Sequence, residues 1–196
     1  RLGPTHLSHY QLTMEPGTVF HSRPPPLPDE EQAEAIEALT HEAIAAAGFQ
    51  RYEVSAWALP GAECRHNLNY WRYGDYLGIG AGAHGKRSRD GHIVRTERIR
   101  SPREYMASVE DGKPQPERDI PPTERPFEYF LNALRLVGGF EAGQFESVTG
   151  VSIAVVEPIL HKALGRGLLE VTEKGWRPTP LGLRFLNDLQ GLFLAS

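Results

Sequence analysis

Apolar and polar residues alternate near the start of the chain, recur at helical spacing after it, and then alternate again. Over residues 6–13 (HLSHYQLT), Leu7, His9 and Gln11 fall on one face of a strand and Ser8, Tyr10 and Leu12 on the other. His6 and His9 therefore point to opposite faces and cannot chelate one metal from a regular strand. Residues 14–18 (MEPGT) form a turn around Pro-Gly. Pro24, Pro25, Pro26 and Pro28 hold the next stretch extended, as a stiff linker or a proline-docking ligand. Asp29 then caps a helix, with Gln32 placed for a capping box. Ile36, Leu39, Ala43, Ile44 and Ala47 make its apolar stripe, and Gly48 ends it. Residues 52–55 return as a short strand, which gives the rhythm of an α/β unit.

The pattern resumes with a strand over 76–79, a turn at Asp90-Gly91 and a half-exposed strand over 93–99. Ser101-Pro102 opens a helix with Tyr105, Met106 and Val109 inward, ended by Gly112. Residues 113–122 carry Pro114, Pro116, Pro121 and Pro122 and read as a linker between a domain over 1–112 and another over 123–196. Beyond it, Thr123 caps a helix with the stripe Phe127, Phe130, Leu131, Leu134 and Val137. Short helices follow over 141–148 and 152–164, then a hairpin of 168–172 with 176–178. A final helix from Thr179-Pro180 places Leu183, Leu186, Leu189 and Phe193 inward. That order is winged-helix-like.

With 196 residues, 40 % apolar and 23 % charged, the chain has the composition of an ordinary globular protein. A net charge of −4 gives no general attraction to nucleic acid or anionic lipid. No apolar run approaches a membrane span, and nothing in these residues resembles a secretory signal. Cys64 is the single cysteine, which excludes an intrachain disulfide, excludes an iron–sulfur cluster held by this chain alone, and fits a cytoplasmic location. An apolar-rich strand with nothing before it predicts the C-terminal part of a longer protein, the other reading being a shortened chain that folds alone.

Chemistry-bearing residues concentrate in one stretch, residues 63–85 (ECRHNLNYWRYGDYLGIGAGAHG). Aromatic rings beside amide and imidazole groups suit a flat, partly apolar ligand; simple burial of Tyr and Trp beside glycine turns is the other reading. Gly80 to Gly85 match G-x-G-x-x-G, but residues 86–91 continue as a turn and strand where a dinucleotide site needs a helix. The stretch is thus expected to be a strand ending in a loop whose N–H groups face a ligand. One thiol and no HExxH leave zinc without a ligand set, whereas a single imidazole suffices for haem iron. A rival from another class is a DNA-binding module, but the 152–164 helix carries only Lys162 and His161, with Arg166 after it, against Glu157.

Residues 6–18 (HLSHYQLTMEPGT), Leu27-Pro28-Asp29, 52–55 (YEVS), 66–71 (HNLNYW) and 74–84 (GDYLGIGAGAH) together resemble the HemW-type radical-SAM haem chaperones. These are relatives of the oxygen-independent coproporphyrinogen III oxidases. The resemblance implies an α/β fold: the C-terminal part of a partial TIM-type (radical SAM) barrel followed by a small winged-helix-like helical domain. It implies a whole protein that carries S-adenosylmethionine and a [4Fe–4S] cluster, binds haem or a porphyrin, and delivers haem to an acceptor protein. The Cys-x3-Cys-x2-Cys half of that family is missing here, so this chain alone is expected to be inactive. The alternative activity is that of the oxidase, and the HNxxYW motif favours the chaperone. By the same resemblance His66, Asn67, Tyr70 and Trp71 contact haem, with His66 on the iron. Gln11, Leu12, Ala83 and His84 lie in the vicinity of S-adenosylmethionine.

Overall fold

The computed structural model describes residues 3–113 and 116–194. Arg1 lies outside them, as do Pro114 and Gln115 within the expected linker. The structure is mixed α/β and divides into two compact units, one up to Cys64 and one from Arg65 onward.

The first unit contains β1 (His6–Ser8), α1 (Val19–Ser22), α2 (Glu30–Ala46), β2 (Gln50–Glu53) and β3 (Ala56–Ala58). β3 lies between β1 and β2 and runs antiparallel to both. β1 is shorter than its alternation predicts. Its partner β3 has only three residues, so after the bond from His9 N–H to Ser55 O there are no backbone groups left to pair. Gln11 and Leu12, expected near the end of a longer strand, instead lie beyond β1 in exposed, irregular chain. α2 begins as its cap predicts: Gln32 N–H donates to Asp29 Oδ1 at 2.9 Å and Asp29 N–H to Gln32 Oε1 at 3.2 Å. Its apolar stripe is only partly covered: Ile44 is half-buried and His41 packs on Trp57 of β3, but Ile36 and Leu39 stay exposed and no residue of α2 is fully buried. Among the described residues, the buried apolar side chains of this unit are Ala56, Trp57 and Ala58, all on β3.

The second unit opens with α3 (Arg65–Trp71) and the hairpin β4 (His84–Arg89) and β5 (His92–Glu97). Asp90 and Gly91 both adopt positive φ, 52° and 80°, as a two-residue hairpin turn requires. α4 (Pro102–Glu110) and β6 (Glu117–Asp119) follow, and β6 pairs with β5 to complete a three-stranded antiparallel sheet. The segment expected as a linker thus carries a strand and, at its end, the fully buried Ile120. α5 (Arg125–Ala133), α6 (Ala142–Thr149), a 3-10 turn at Ile153–Val155, α7 (Glu157–Gly165), the hairpin β7 (Leu169–Val171) and β8 (Trp176–Pro178), α8 (Pro180–Arg184) and α9 (Leu186–Gly191) complete the unit.

The core of this unit forms around α5, which buries Tyr129, Phe130 and Ala133. Phe130 stacks on Phe193 with ring centroids 3.8 Å apart and on Phe145 at 5.5 Å. α5 differs from expectation at its start. Thr123 is not its cap, and Glu124 at that position makes no side-chain cap bond. Arg125 fixes the helix entry instead, donating from Nε to Ile120 O, from Nη1 to Thr149 O and from Nη2 to Gly91 O at 2.8–3.0 Å. Leu131, expected inward, is 44 % exposed. So are Met106 and Val109 of α4, more than half exposed, where only Ser108 is buried. The single helix expected over 152–164 breaks at Val156. Pro158, lacking an N–H and clashing with the carbonyl four residues back, cannot sit inside a continuous helix but fits the first turn of α7. The last helix bends at Phe185 (φ −106°, ψ 43°), which turns Leu186 and Leu189 inward and leaves Phe185 out.

Candidate functional site

α3 carries the HNLNYW motif. Residues four apart share a helix face, so His66 stands with Tyr70 and Asn67 with Trp71. His66 is exposed, and its imidazole has no hydrogen-bond partner among the described residues; Asn67 is half-buried. Tyr70 meets Trp71 edge-on at 5.1 Å. Trp71 turns away from solvent: its Nε1 is buried without a partner, and the Arg135 guanidinium lies 4.4 Å over its ring. Asn69 serves the fold, because its Nδ2 donates to Asp75 O at 2.9 Å. Gly74 must be glycine there, since a Cβ would come within 2.1 Å of Asn69 Oδ1.

The glycine-rich segment is not the strand expected over 76–79. Tyr76 makes one antiparallel bridge with Lys86, and the chain then folds back on itself. A Cβ on Gly78 would lie 2.3 Å from His84 O, and one on Gly85 would lie 2.6 Å from Thr96 Oγ1. These two glycines let backbone approach backbone. Gly80 (φ +100°) and Gly82 (φ +71°) supply the left-handed turns at the tip. The loop N–H groups expected to face a ligand are largely taken. Gly80 N–H donates to Tyr105 Oη at 3.3 Å, Gly82 N–H to Ile99 O at 2.9 Å and Ala83 N–H to Gly80 O at 3.2 Å.

An ion pair between a buried lysine and a half-exposed carboxylate holds this loop. Lys86 is 1 % exposed, and its Nζ donates to Asp75 Oδ1 at 2.9 Å and to Ser88 Oγ at 3.2 Å while lying 4.2 Å over the Tyr73 ring. Ser88 N–H and Oγ both donate to the same carboxylate at 2.8 Å. Burial pulls the Lys86 ammonium below its usual range, and the Asp75 bond and charge only partly restore it. For Asp75, burial pushes the carboxyl up, but the hydrogen bonds from Lys86 and Ser88 outweigh it and hold the group below the usual carboxylate range.

The ion pair and the bridge beside it set Tyr76 against Tyr70, rings 5.0 Å apart at 45°. Tyr70, Tyr76 and His84 line one cleft of about 380 Å3, together with Arg95 and Glu128. Arg95 Nη1 donates to Tyr76 Oη at 2.8 Å, and Arg95 Nε to Glu128 Oε2 at 3.0 Å. Burial, reinforced by the Tyr70 hydrogen bond, pushes the Tyr76 phenol up to about 12. The His84 imidazole, exposed at this cleft, has no hydrogen-bond partner among the described residues. Of the residues singled out from the sequence, the cleft therefore joins Tyr70 to His84. His66, Asn67, Trp71 and Ala83 are not on its walls, and Gln11 and Leu12 belong to the first unit. Tyr76, Arg95 and Glu128 were not among the expected site residues. Tyr76 lay inside the conspicuous stretch; nothing local marks Arg95 or Glu128.

The HemN C-terminal domain family matches residues 120–185. Over all of this chain, the haem chaperone HemW of Escherichia coli is 47 % identical across 51 % of its own length. That of Haemophilus influenzae is 41 % identical across 50 %, and that of Bacillus subtilis 32 % identical across 52 %. The chain spans about half the length of these relatives. A solved structure, the coproporphyrinogen III oxidase HemN of Escherichia coli, described as a radical SAM enzyme, has a similar fold. Its TM-score is 0.68 at 18 % identity, covering 97 % of this chain and 48 % of that one.

Proposed function

Since the chain belongs to the family of the HemW haem chaperones and matches the C-terminal part, we propose that it binds haem and serves its delivery to an acceptor protein. The 47 % identity with a haem chaperone, sustained over every residue of the chain, carries this reading. In it, α3 presents the haem site: His66 as axial ligand of the iron, Asn67 beside it, Tyr70 and Trp71 as ring walls. The exposed, unpartnered imidazole of His66 supports that role, because a ligand nitrogen must be free to reach a metal.

The rest of the reading concerns the whole protein. Residues 1–112 belong to a partial TIM-type radical-SAM barrel, 113–122 form the connection, and 123–196 a winged-helix-like domain. Gln11, Leu12, Ala83 and His84 lie near S-adenosylmethionine. A [4Fe–4S] cluster needs three or four thiolates, and this chain offers only Cys64, so the cluster is held by other parts of the protein. Among the described residues no helix is long and apolar enough to cross a membrane, and we place the protein in the cytoplasm.

Titration of the protein with ferric haem, followed at the Soret band, tests the reading. His66→Ala is expected to weaken binding without unfolding. An unchanged titration would remove His66 from the site, and robust conversion of coproporphyrinogen III to protoporphyrinogen would replace the chaperone by the oxidase.

A further inference from the structure

We propose that Arg135 is a positioning residue for haem: through Trp71 it holds α3 in the pose that presents His66 and Tyr70. This rests on the haem reading above. It gives Trp71 a task apart from contact with haem, that of anchoring the helix.

α3 does not hold itself. It has 7 residues, against the roughly 12–15 below which an isolated helix is marginal in water. None of its residues is fully buried. Its two sides nevertheless differ. Arg65, His66 and Asn69 are exposed, whereas Asn67, Leu68 and Trp71 are half-buried. Trp71 follows Leu68 by three positions and Asn67 by four, so these three share one face. α3 packs against α5. The direction in which His66 points is thus decided by what grips the opposite face.

That grip lies at the C-terminal end of the helix. The Arg135 guanidinium stands 4.4 Å over the Trp71 ring, inside the roughly 6 Å of a cation–π contact. Trp71 Nε1 is buried with no hydrogen-bond partner, so the indole is held by its ring and not by its polar edge. Arg135 comes from a fixed backbone. It follows the last residue of the α5 cap, its N–H donates to Asn132 O at 3.1 Å, and its neighbours Leu134 and Leu136 are both buried. Tyr73 secures the exit from α3. It takes φ 62°, a left-handed conformation that costs a tyrosine energy, and its buried ring meets Tyr129 of α5 edge-on at 6.1 Å. Trp71 and Tyr73 therefore pin the end of the helix to α5 and its continuation, while His66, more than one turn earlier, faces solvent. A ligand on a short helix pinned at one end points where the pin directs it, which makes the pin a support of the site.

The test follows ferric haem at the Soret band, together with amide exchange and thermal melting, in the protein and its variants. Arg135→Met, similar in length but uncharged, is expected to weaken ferric haem by about tenfold, within the range of a partly desolvated cation–π contact. Arg135→Lys, which keeps the charge without the planar stack, should recover part of that loss. In a Trp71→Leu background Arg135→Met should cost nothing further, because its partner is gone. The amides of Arg72, Tyr73 and Gly74 donate to the carbonyls of Leu68, Tyr70 and Asn69. Their exchange should quicken in Arg135→Met by at least about tenfold while that of the α5 core stays as it was. Unchanged exchange at these three amides overturns the inference whatever haem does. Unaltered haem affinity in Arg135→Met, with His66→Ala weakened, overturns it and leaves the haem reading standing. A loss equal in Arg135→Lys and Arg135→Met that tracks a lowered melting temperature reduces Arg135 to a residue of the fold and overturns it too. If the unaltered protein takes up no haem, the haem reading falls and the inference with it.

Discussion

Each unit has a helix with an apolar stripe, and the two stripes meet opposite fates. In the first, α2 has a well-formed apolar stripe, yet Ile36 is 55 % and Leu39 67 % exposed. In the second, α5 carries a much more one-sided stripe and buries Tyr129 and Phe130 completely. The difference lies both in the stripe itself and in what packs on it. α5 is met by α6 and α9, and Phe140, Phe145 and Phe193 close over it. The three strands of the first unit offer α2 too little apolar surface for that. A periodic stripe therefore states a demand for a partner, and the demand is met only where the same chain supplies one.

The largest expected effects sharpen this contrast. Phe130→Ala should cost roughly 3–5 kcal/mol by urea denaturation, as for a fully buried ring. Leu39→Ala in the same 196-residue chain should stay within about 0.5 kcal/mol; equal costs would erase the distinction between the units. Next comes Asp75→Asn, which removes the only carboxylate bonded to Lys86 among the described residues; with Ser88 Oγ and the Tyr73 ring still at the ammonium and Asp75 half-exposed, the cost is about 1–3 kcal/mol. Its sign can be checked with pH. The folded pKa of Lys86 is already below 10.5 and falls further without the carboxylate. The unfolded state then holds the proton more tightly, so the deficit should shrink as pH rises toward 10.5. In the unaltered protein, the depressed Asp75 carboxyl contributes stability that is present above 3.8 and lost as pH falls below it.

Three smaller effects refine the picture, two in the second unit and one in the first. Gly80→Ala meets only the cost of a left-handed backbone, about 1–2 kcal/mol, because nothing lies within 4 Å of its Cβ. Gly78→Ala drives a methyl into the His84 carbonyl and should lower the melting temperature more. Asp29→Ala, which removes the capping box of α2, should cost about 1 kcal/mol. Circular dichroism would show it as a loss of helix confined to the first unit.

What could be read from the sequence follows the range of the interactions involved. The caps at Asp29, Ser101 and Thr179 depend on bonds spanning three residues, and all three open helices where expected. The Asp90-Gly91 turn and the β7–β8 hairpin are equally local. Strand lengths are not legible locally because they depend on the partner: β1 stops where β3 stops, and 76–79 is bent by the packing of Gly78 on His84. Lys86 sits in the run KRSR, which reads as solvated surface; its burial requires Asp75 and Tyr73 from another segment. The candidate site divides in the same way. HNLNYW was conspicuous, whereas the meeting of Tyr70 with His84, and the arginine–glutamate lattice around them, exists only after the hairpin has paired.

Arg125 gives the domain question an unexpected answer. The homology to the HemN C-terminal domain starts at residue 120, yet the carbonyls gripped by this one guanidinium come from residues 91, 120 and 149. A scissor cut at the homology border would strip away the first of them and, with it, the strand whose Ile93 carbonyl receives the Ile120 amide. A border drawn by homology need not be free of bonds that cross it; here one guanidinium and one amide tie the hairpin to the helices beyond it.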